Sequence, residues 1–399
     1  MNLGIYIQVP FCQTKCTYCN FHTGVVAREK YRPYAEAVHR EIAELAASSE
    51  ISALRGATVD TVYFGGGTPS LLEPSALAGI MNALRRDFSF AESVASVPDS
   101  ARETTAAGPP EITLEADPET ITPEKAQAWL AAGFNRISLG VQSFDDRELQ
   151  AAGRMHRRTD IFAATRILRE AGFRNISMDL IAGLARQTRE SWDESVARVL
   201  EIRPEHISIY LLEIDDGSRL GKESLAGGGR YSAHAIPSDD AMADSYESAC
   251  ARLAEAGYEH YEISNWGLPG FRSRHNLKYW RREPYIGLGA GAHSFDGARR
   301  WSNAHDFGKY VACIEGGTSP REQYEPVTPQ QALDEELFLG LRQLEGINLA
   351  RVEEKYGVSL QARIAGLREH GLLEMDGAHL RLTLSHLTVS NEVFVELLG

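Results

Sequence analysis

Short runs of apolar and β-branched residues alternate, along the first half of the chain, with longer segments that carry apolar residues at helical spacing. The short runs have the length and composition of buried strands, and they fall at residues 4–9, 59–64, 111–116, 136–141, 175–181 and 206–212. The helical segments fall at residues 31–45, 74–86, 123–132, 159–171 and 189–202. Six strands that alternate with helices predict a parallel α/β structure. The pattern alone leaves open whether the sheet is an open doubly wound sheet or a partial TIM-like barrel.

The rest of the chain does not continue the alternation of strands and helices. Residues 93–110 are rich in Ser, Ala, Pro and Thr without apolar periodicity, which predicts a mobile insertion. A long helix is predicted at residues 239–256, and the glycine-dense run 285–294 is expected to complete or flank the α/β core. Three short helical patterns (331–342, 349–356, 360–370) precede a hairpin pattern around Asp376-Gly377, which predicts a winged-helix-like C-terminal domain. We therefore divide the chain into a barrel (1–236), a flanking segment (237–327) and a C-terminal domain (328–399).

Composition and charge narrow the class of protein. The 399 residues include 41 Lys and Arg against 55 Asp and Glu, a net charge of −14, which argues against a general nucleic-acid coat. Acidic residues in the C-terminal domain, such as Glu335 and Glu353, favour packing over DNA binding there. No stretch reaches the roughly 18 uncharged apolar residues of a membrane span, and the start lacks the pattern of a signal peptide. We expect an intracellular, cytoplasmic protein.

The chain has five cysteines, and three of them lie together directly after the first predicted strand, as Cys12, Cys16 and Cys19. An odd count in a reducing compartment argues against a disulfide framework. The spacing fits a zinc site completed by His22, or an iron–sulfur cluster whose three protein ligands leave one iron open. Spacing alone favours the cluster and leaves zinc open. Cys250 and Cys313 stand alone and are interpreted as core thiols.

Polar residues recur at the ends of the predicted strands. The second strand is followed by Gly65-Gly66-Gly67-Thr68, whose bare backbone permits close approach of a ligand. This run lacks the lysine of a P-loop and the spaced glycines of a dinucleotide fingerprint. Glu115 lies at the end of the third strand, Gln142 just past the fourth and Asp179 near the end of the fifth. Arg154 could add a carboxylate-binding fork. Because functional groups of parallel barrels gather at the carboxyl ends of strands, these residues predict one shared site.

The motif C-x3-C-x2-C, formed by Cys12, Cys16 and Cys19, resembles the signature of the radical S-adenosylmethionine (SAM) enzymes. That resemblance implies a partial (β/α)6 radical SAM barrel. It also implies a 4Fe-4S cluster whose open iron binds the amino and carboxylate groups of SAM. In that family the reduced cluster cleaves SAM to a 5′-deoxyadenosyl radical.

The strand-end residues resemble the SAM-binding pattern of one subgroup, the oxygen-independent coproporphyrinogen III oxidase-like proteins, over essentially the whole chain. The resemblance implies three kinds of contact with SAM: residues that flank the cofactor, residues at its methionine end, and residues that bind its ribose or amino groups or complete the pocket. By this resemblance Tyr6 and Tyr18 flank the cofactor, and Gly66, Gly67 and Thr68 contact its methionine end. Glu115 and Asp179 hold ribose or amino groups, and Gln142 and Arg154 complete the pocket. His293, in a glycine-rich segment, falls where that subgroup also contacts SAM.

Two departures from the oxidase put coproporphyrinogen oxidation in doubt. The oxidase carries a fourth cysteine two positions after the third, where this sequence has Phe21. The oxidase also has an N-terminal extension ahead of its first strand, whereas the first predicted strand of this sequence begins almost at Met1. The segment from His275 to Trp280 instead matches the HNxxYW motif of heme chaperones related to that oxidase. Five basic residues and no acid lie between positions 263 and 282, which suits heme propionates. His275 and Tyr279 are the predicted ligands of heme iron, and Trp280 is predicted to cover the ring.

The sequence therefore predicts a heme chaperone that binds a 4Fe-4S cluster and SAM and delivers heme to heme-accepting proteins such as respiratory enzymes. An alternative is a radical SAM enzyme that acts on a porphyrin, as an oxidase or a methyltransferase, because the SAM pocket is intact. A third interpretation is a zinc-stabilised barrel whose winged helix binds nucleic acid, although we expect no nucleic-acid partner. Resemblance to the family suggests a homodimer and at most peripheral membrane contact.

Overall fold

The computed structural model describes residues 1–48, 54, 56–91 and 108–398. Its strands are β1 (Asn2–Val9), β2 (Thr58–Gly66), β3 (Ser89–Phe90), β4 (Glu111–Ala116), β5 (Arg136–Gln142), β6 (Ile176–Ala182), β7 (His206–Leu211), β8 (Glu259–Glu262), β9 (Asn265–Gly267), β10 (Tyr285–Leu288), β11 (His293–Phe295), β12 (Arg299–Asn303), β13 (Arg321–Pro326), β14 (Ile347–Asn348), β15 (Leu373–Asp376) and β16 (His379–Leu382). Its α-helices are α1 (Tyr31–Ala47), α2 (Pro74–Asp87), α3 (Pro123–Ala132), α4 (Asp146–Ala151), α5 (Arg158–Ala171), α6 (Arg189–Ile202), α7 (Arg219–Leu225), α8 (Asp239–Glu255), α9 (Arg274–Trp280), α10 (Phe307–Glu315), α11 (Pro329–Gly340), α12 (Leu349–Tyr356), α13 (Gln361–Glu369) and α14 (Ser390–Leu398).

All six predicted strands are confirmed, and they pair in parallel in the order β1-β2-β4-β5-β6-β7. Their spatial order follows the sequence order without reversal, whereas a doubly wound sheet reverses direction at a switch point. The structure therefore decides for the partial barrel. The sheet stays open, because β1 and β7 pair with β10 and β9 on their outer sides rather than with each other. All carboxyl ends of the parallel strands consequently face one rim.

The glycine-dense run predicted to complete or flank the core does so through β10, which adds in parallel to β1. Strands β11, β12 and β13 extend the sheet from there in antiparallel pairs. At the other edge, β9 and β8 form an antiparallel pair beside β7. Short strands that pair with distant parts of the chain leave no strong local periodicity, which explains why the sequence did not resolve them individually.

Helices cover the outer face of the parallel sheet because their apolar faces match the apolar residues of the strands. The core between the layers contains fully buried aliphatic and aromatic residues, among them Ile7, Val62, Leu114, Trp129 and Trp192. The helix boundaries follow local signals. α3 begins after Thr122, whose side chain accepts a hydrogen bond from the Lys125 amide, and ends at Gly133 in a left-handed conformation.

The C-terminal domain contains α11, α12 and α13 with the three-stranded sheet β14-β16-β15, which confirms the winged-helix-like prediction. The carboxylate of Glu335 in this domain forms ion pairs with Arg282 at 2.9 Å and with Arg300 at 2.7 Å, and both arginines lie outside the domain. That carboxylate therefore serves packing between the two parts of the chain.

The predicted mobile insertion, residues 93–110, lies mostly outside the described residues. Within the described ranges, no helix combines the length and the apolar character needed to cross a membrane.

Candidate functional site

The three clustered cysteines lie in one loop that leaves the carboxyl end of β1. Hydrogen bonds from the Cys12 amide to the Gly24 carbonyl (3.1 Å) and from the Gly24 amide to the Pro10 carbonyl (2.9 Å) close the base of this loop. The Thr17 amide donates to the Ala152 carbonyl at 3.0 Å, which fastens the middle of the loop to the segment after α4. All three thiols are free and partly buried. The backbone thus holds three sulfur ligands at the rim where the parallel strands end.

Burial and a nearby cation shape the chemistry of these thiols. Desolvation raises the pKa of Cys12 to about 11 and also raises the pKa of Cys19, so the apo site favours neutral thiols. The Arg154 guanidinium lies 3.4 Å from the Cys16 sulfur. Because metal binding requires thiolates, a bound metal group would displace the protons, and Arg154 would offset part of the resulting negative charge.

The glycine run after β2 approaches the cysteine loop closely. A Cβ on Gly67 would lie 2.4 Å from the Phe11 carbonyl oxygen and 2.8 Å from that of Val9, so only glycine fits there. Gly66 has a φ of +105°, and its amide donates to Glu115 at 3.1 Å. The Gly67 and Thr68 amides donate to the Val9 and Phe11 carbonyls. These three amides are therefore committed within the protein, and the bare glycine surface is what remains for a ligand.

Two carboxylates face the same rim from β4 and β6. Glu115 accepts a hydrogen bond from the Tyr63 hydroxyl at 2.8 Å, and Asp179 accepts one from the Ser138 hydroxyl at 3.4 Å. Burial raises the pKa of Glu115 to about 7, with a further contribution from Asp179, and burial likewise raises the pKa of Asp179. Near neutral pH, Glu115 can therefore either accept or donate a hydrogen bond.

Arg154 links these groups to the cysteine loop. Its Nη2 forms an ion pair with Asp117 and donates to the Gly140 carbonyl at 2.8 Å. Asp117 also accepts the Thr68 hydroxyl at 3.0 Å. The guanidinium is thus oriented by three partly buried partners, Asp117, Gly140 and Cys16, as the second layer of a binding site requires.

These elements enclose a cavity of about 500 Å³. The predicted residues that line it are Cys12, Cys16, Cys19, Tyr18, Gly66, Gly67, Thr68, Glu115, Gln142, Arg154 and Asp179. Gln142 ends β5 with a φ of +67°, at an irregularity in the pairing with β6. The cavity continues past Tyr210 and Arg342 to residues 387–391 near the C-terminus. The structure therefore brings most of the predicted site together in one concave volume.

Five residues predicted to contact SAM or heme do not line this cavity: Tyr6, His275, Tyr279, Trp280 and His293. The Tyr6 ring stacks on Tyr63 with centroids 6.0 Å apart, and its hydroxyl donates to Gln8 at 2.9 Å. His293 begins β11 and is exposed, with the His305 ring 6.0 Å away. Tyr6 therefore packs behind the site, and His293 lies beside His305, whose ring is next to that of His22 in the cysteine loop.

The HNxxYW segment forms α9, and His275 is 1% exposed within it. Both ring nitrogens of His275 are hydrogen-bonded at 2.9 Å, Nδ1 with the Thr61 hydroxyl and Nε2 with the Tyr279 hydroxyl. Burial, with help from the charge of Lys278, lowers the pKa of His275 to about 3. In this conformation the imidazole is neutral and offers no nitrogen to a ligand. Ligation of heme by His275 and Tyr279 remains a prediction, and it requires these hydrogen bonds to break.

The basic residues around α9 are neutralised by acids that lie elsewhere in the sequence. Lys278 is 2.8 Å from Asp60 and 3.0 Å from Glu283, with only 3% of its side chain exposed. Arg272 pairs with Glu345 at 2.9 Å, and Arg282 pairs with Glu335. The expectation of a free basic island for propionates therefore does not match this arrangement, because sequence spacing does not show the partners that the fold supplies.

Sequence reasoning missed several residues that build the cavity. Asp117 orients Arg154, and its position two residues after Glu115 at the end of a strand was a usable signal. Tyr63 hydrogen-bonds to Glu115 and lies opposite Tyr6 in the register of β1 and β2. Residues 387–391 reach the cavity from the far end of the chain, and no local pattern marks them.

The geometry also bears on the zinc interpretation. Among the described residues, no group of three His, Cys, Asp or Glu side chains is arranged to hold a single metal ion. His22 stacks near His305, with ring centroids 4.4 Å apart. The three thiols are thus not preorganised around a single metal position, whether for zinc or for a cluster, and the ring of His22 lies next to that of His305.

Comparison with known proteins agrees with the fold. The profile of the radical SAM superfamily matches residues 6–199, and that of the HemN C-terminal domain matches residues 327–385. The chain is 32% identical to the heme chaperone HemW of Bacillus subtilis, with 99% of this chain and 98% of that protein covered. It is 33% identical to HemW of Lactococcus lactis, covering 98% of this chain and 96% of that protein. Coproporphyrinogen III oxidase (HemN) of Escherichia coli has a similar structure, with a TM-score of 0.81. The two sequences are 22% identical, and the match covers 99% of this chain and 89% of the oxidase chain, so the likeness shows a shared fold.

Proposed function

The chain belongs to the HemW family of heme chaperones in the radical SAM superfamily, and we propose that it binds a 4Fe-4S cluster, SAM and heme. In this proposal the protein passes heme to heme-requiring proteins such as respiratory enzymes. The observation that carries the proposal is the loop of three free thiols that opens on a cavity lined with glycine and carboxylate groups.

The donor set around the cysteine loop suits an iron–sulfur cluster. Cys12, Cys16 and Cys19 would hold the cluster, which supplies one-electron chemistry to SAM when it is bound. Three thiolate ligands leave one iron for a further ligand, and Arg154 beside the Cys16 sulfur suits a group of net negative charge. The raised pKa values of Cys12 and Cys19 imply that assembly releases protons, so assembly is favoured at higher pH.

The residues proposed to hold SAM are those that line the cavity next to the cysteines. Gly66 and Gly67 leave room for a ligand to approach the backbone, and Thr68 borders the same space. Glu115 and Asp179 are placed to accept hydrogen bonds from hydroxyl or amino groups. Tyr18 and Gln142 complete the wall. Tyr6 and His293, which do not line the cavity, would act indirectly or in another conformation.

Heme handling is proposed from family membership rather than from His275 and Tyr279. Their mutual hydrogen bond and burial support a structural role in this conformation. Use of these residues as iron ligands would require α9 to open, at the cost of the hydrogen bonds to Thr61 and Glu111. A homodimer, a cytoplasmic location, peripheral membrane contact and the three-part domain division remain proposals.

A porphyrin-modifying enzyme is the second candidate. The observation that favours it is the extension of the cavity past Tyr210 and Arg342, which leaves space beyond the proposed SAM residues. Anaerobic turnover with dithionite, SAM and coproporphyrinogen, followed by mass analysis, tests this candidate. A decarboxylated or methylated porphyrin as a robust product would replace the chaperone proposal.

The cofactor part of the proposal is tested by anaerobic purification and measurement of iron, sulfide and SAM binding. Wild type should be brown and lose its broad visible absorbance with dithionite. A Cys12→Ala/Cys16→Ala/Cys19→Ala variant should lose the colour. A Cys250→Ala/Cys313→Ala variant removes two thiols outside the loop and should keep it. Colourless wild-type protein with stoichiometric zinc would contradict the proposal.

A further inference from the structure

The helix α9 lies toward the end of the parallel strands that is opposite the cavity. A Cβ on Gly4 of β1 would lie 2.9 Å from the Lys278 side chain, so this strand leaves room for the helix. The His275 imidazole meets the Thr61 hydroxyl of β2 at 2.9 Å, and the His275 amide donates to Glu111, the first residue of β4, at 3.1 Å. These contacts lie toward the amino ends of three neighbouring strands, and they fix α9 away from the rim where the strands end.

Three aromatic rings occupy the strand positions between α9 and the cavity. The His275 ring stacks on Tyr63 with centroids 5.2 Å apart and an interplanar angle of 27°, and on Tyr6 with centroids 6.3 Å apart. Tyr6 and Tyr63 are register partners on β1 and β2, and their own rings lie 6.0 Å apart at 18°. Because each ring packs on the other two, a shift of the imidazole changes the packing of both tyrosines.

The Tyr63 hydroxyl connects this layer of rings to the cavity wall. It donates to Oε1 of Glu115 at 2.8 Å, while the Gly66 amide donates to Oε2 at 3.1 Å. Gly65 leaves the room for this contact, because its Cβ would lie 2.9 Å from the Tyr63 ring and 3.0 Å from Oε1 of Glu115. Burial raises the pKa of the Tyr63 hydroxyl, with a further contribution from Glu115, so it stays a donor near neutral pH. Each oxygen of the Glu115 carboxylate is thus held by a donor from β2.

We propose that Tyr63 is a positioning residue for SAM: its hydroxyl sets the orientation of Glu115, and the His275 imidazole holds the Tyr63 ring in place. Glu115 lines the cavity and Tyr63 does not, so Tyr63 acts through the carboxylate. A binding group keeps its geometry where neighbouring packing and hydrogen bonds fix it, and the layer of rings supplies both. This inference rests on the proposed SAM site. It assigns the HNxxYW helix a function in the conformation in which both nitrogens of His275 are hydrogen-bonded.

The test is an anaerobic calorimetric titration of the cluster-loaded full chain with SAM. Tyr63→Phe keeps the ring and removes the hydroxyl, and it should weaken SAM binding about fivefold, as expected for one lost hydrogen bond. Tyr279→Phe removes the hydroxyl that fixes Nε2 of His275 and should weaken SAM binding about twofold. Tyr258→Phe is the matched control, because its buried hydroxyl donates to the Pro204 carbonyl away from the cavity, and it should bind SAM like wild type.

A double-mutant cycle separates positioning from a general loss of structure. Glu115→Ala removes the acceptor of the Tyr63 hydroxyl, so Tyr63→Phe should not weaken SAM binding further in that background. Full additivity of the two effects on SAM affinity would overturn the proposal.

The pH profile of SAM affinity is the second such readout. Burial raises the pKa of Glu115 to about 7 and the Tyr63 hydrogen bond lowers it in part, so SAM affinity of the wild type should rise as pH rises through about 7 and Glu115 becomes a full acceptor. Tyr63→Phe should move this rise to higher pH, and Tyr258→Phe should leave it in place. The other titratable groups that face Glu115 are the same in all these proteins: Tyr6, Asp117, Asp179, Tyr210 and Tyr279.

The outcomes separate this inference from the proposed function. If wild type binds SAM and Tyr63→Phe binds it equally well with the same pH profile, Tyr63 does not position Glu115, and the proposed SAM site stands. If wild type binds no SAM, both fail. If Tyr63→Phe weakens binding and Tyr279→Phe does not, the part assigned to His275 is overturned. Iron and sulfide content should stay at the wild-type value in every variant, and loss of iron from Tyr63→Phe would contradict the proposal by showing that the ring supports the cysteine loop instead.

Discussion

Replacement of His275 by alanine should destabilise the protein strongly and should change how its stability depends on pH. The substitution removes two buried hydrogen bonds, to Thr61 and Tyr279, each worth about 1 kcal/mol. It also removes a ring that stacks on Tyr63 with centroids 5.2 Å apart, and loss of that packing adds about 2 kcal/mol. The expected loss in free energy of unfolding at pH 7.5 is therefore about 4 kcal/mol.

The pH dependence follows from the lowered pKa. His275 has a folded pKa of about 3, against about 6.5 in the unfolded chain, so the unfolded state binds the extra proton. Stability from this group is complete above pH 6.5 and is lost as pH falls toward 3. Between pH 7.5 and pH 5 the wild type should lose about 2 kcal/mol through His275 alone. The variant should lack this component.

Urea unfolding at the two pH values, followed by circular dichroism, measures both quantities. His39→Ala is the matched control, because His39 is partly exposed and should change stability by no more than about 0.5 kcal/mol. If His275→Ala unfolded at the wild-type urea concentration with the same pH dependence, the hydrogen-bonded, neutral imidazole described for α9 would be wrong.

Three further substitutions test other parts of the structure. Gly67→Ala should lower the free energy of unfolding by about 1–3 kcal/mol and reduce iron incorporation, because its Cβ would meet the Phe11 carbonyl. Thermal unfolding and iron analysis measure these effects, with Gly79→Ala as a control. A Gly67→Ala protein that is as stable and as fully loaded with iron as wild type would refute the close contact. In the wild type, burial raises the pKa of Glu115 in the folded state to about 7, so the stability that this carboxyl contributes is lost as pH rises from 4.5 to 7. Glu115→Gln should therefore remove about 2 kcal/mol from the fall in free energy of unfolding between pH 5 and pH 8. An unchanged pH dependence in urea titrations would contradict this. Lys278→Met should cost about 3 kcal/mol, because the buried Asp60 would lose its partner at 2.8 Å and keep only Arg274 at 3.7 Å. Arg281→Met, at an exposed position, should be nearly neutral, and equal effects in urea unfolding would show that both cations are surface charges.

Much of the barrel could be predicted because its signals are local. Each strand of the parallel sheet is a compact apolar run, and helices such as α3 and α6 begin and end where the sequence indicates. The cysteine loop and the glycine run were recognisable from spacing. Glu115 and Asp179 stood out as acids in apolar strands, and the parallel topology then placed them on one rim.

The role of α9 could not be read from the sequence. The segment shows five basic residues without an acid, but Asp60, Glu335 and Glu345 arrive from distant elements and neutralise three of them. Burial of His275 likewise depends on Thr61, on a neighbouring strand. Such partners follow from tertiary packing and leave no trace in local spacing.

The decisive measurement for the chaperone function is heme transfer from the cluster-loaded protein to the apo form of a heme-requiring respiratory enzyme. The donor is reconstituted anaerobically, loaded with one equivalent of hemin and mixed with the acceptor in the presence of a scavenger of free heme. We expect the donor Soret band to decay while acceptor activity appears, and we expect the Cys12→Ala/Cys16→Ala/Cys19→Ala variant to lack the cluster in the same assay. Activation no faster than with hemin alone, or formation of a modified porphyrin instead of transferred heme, would contradict it.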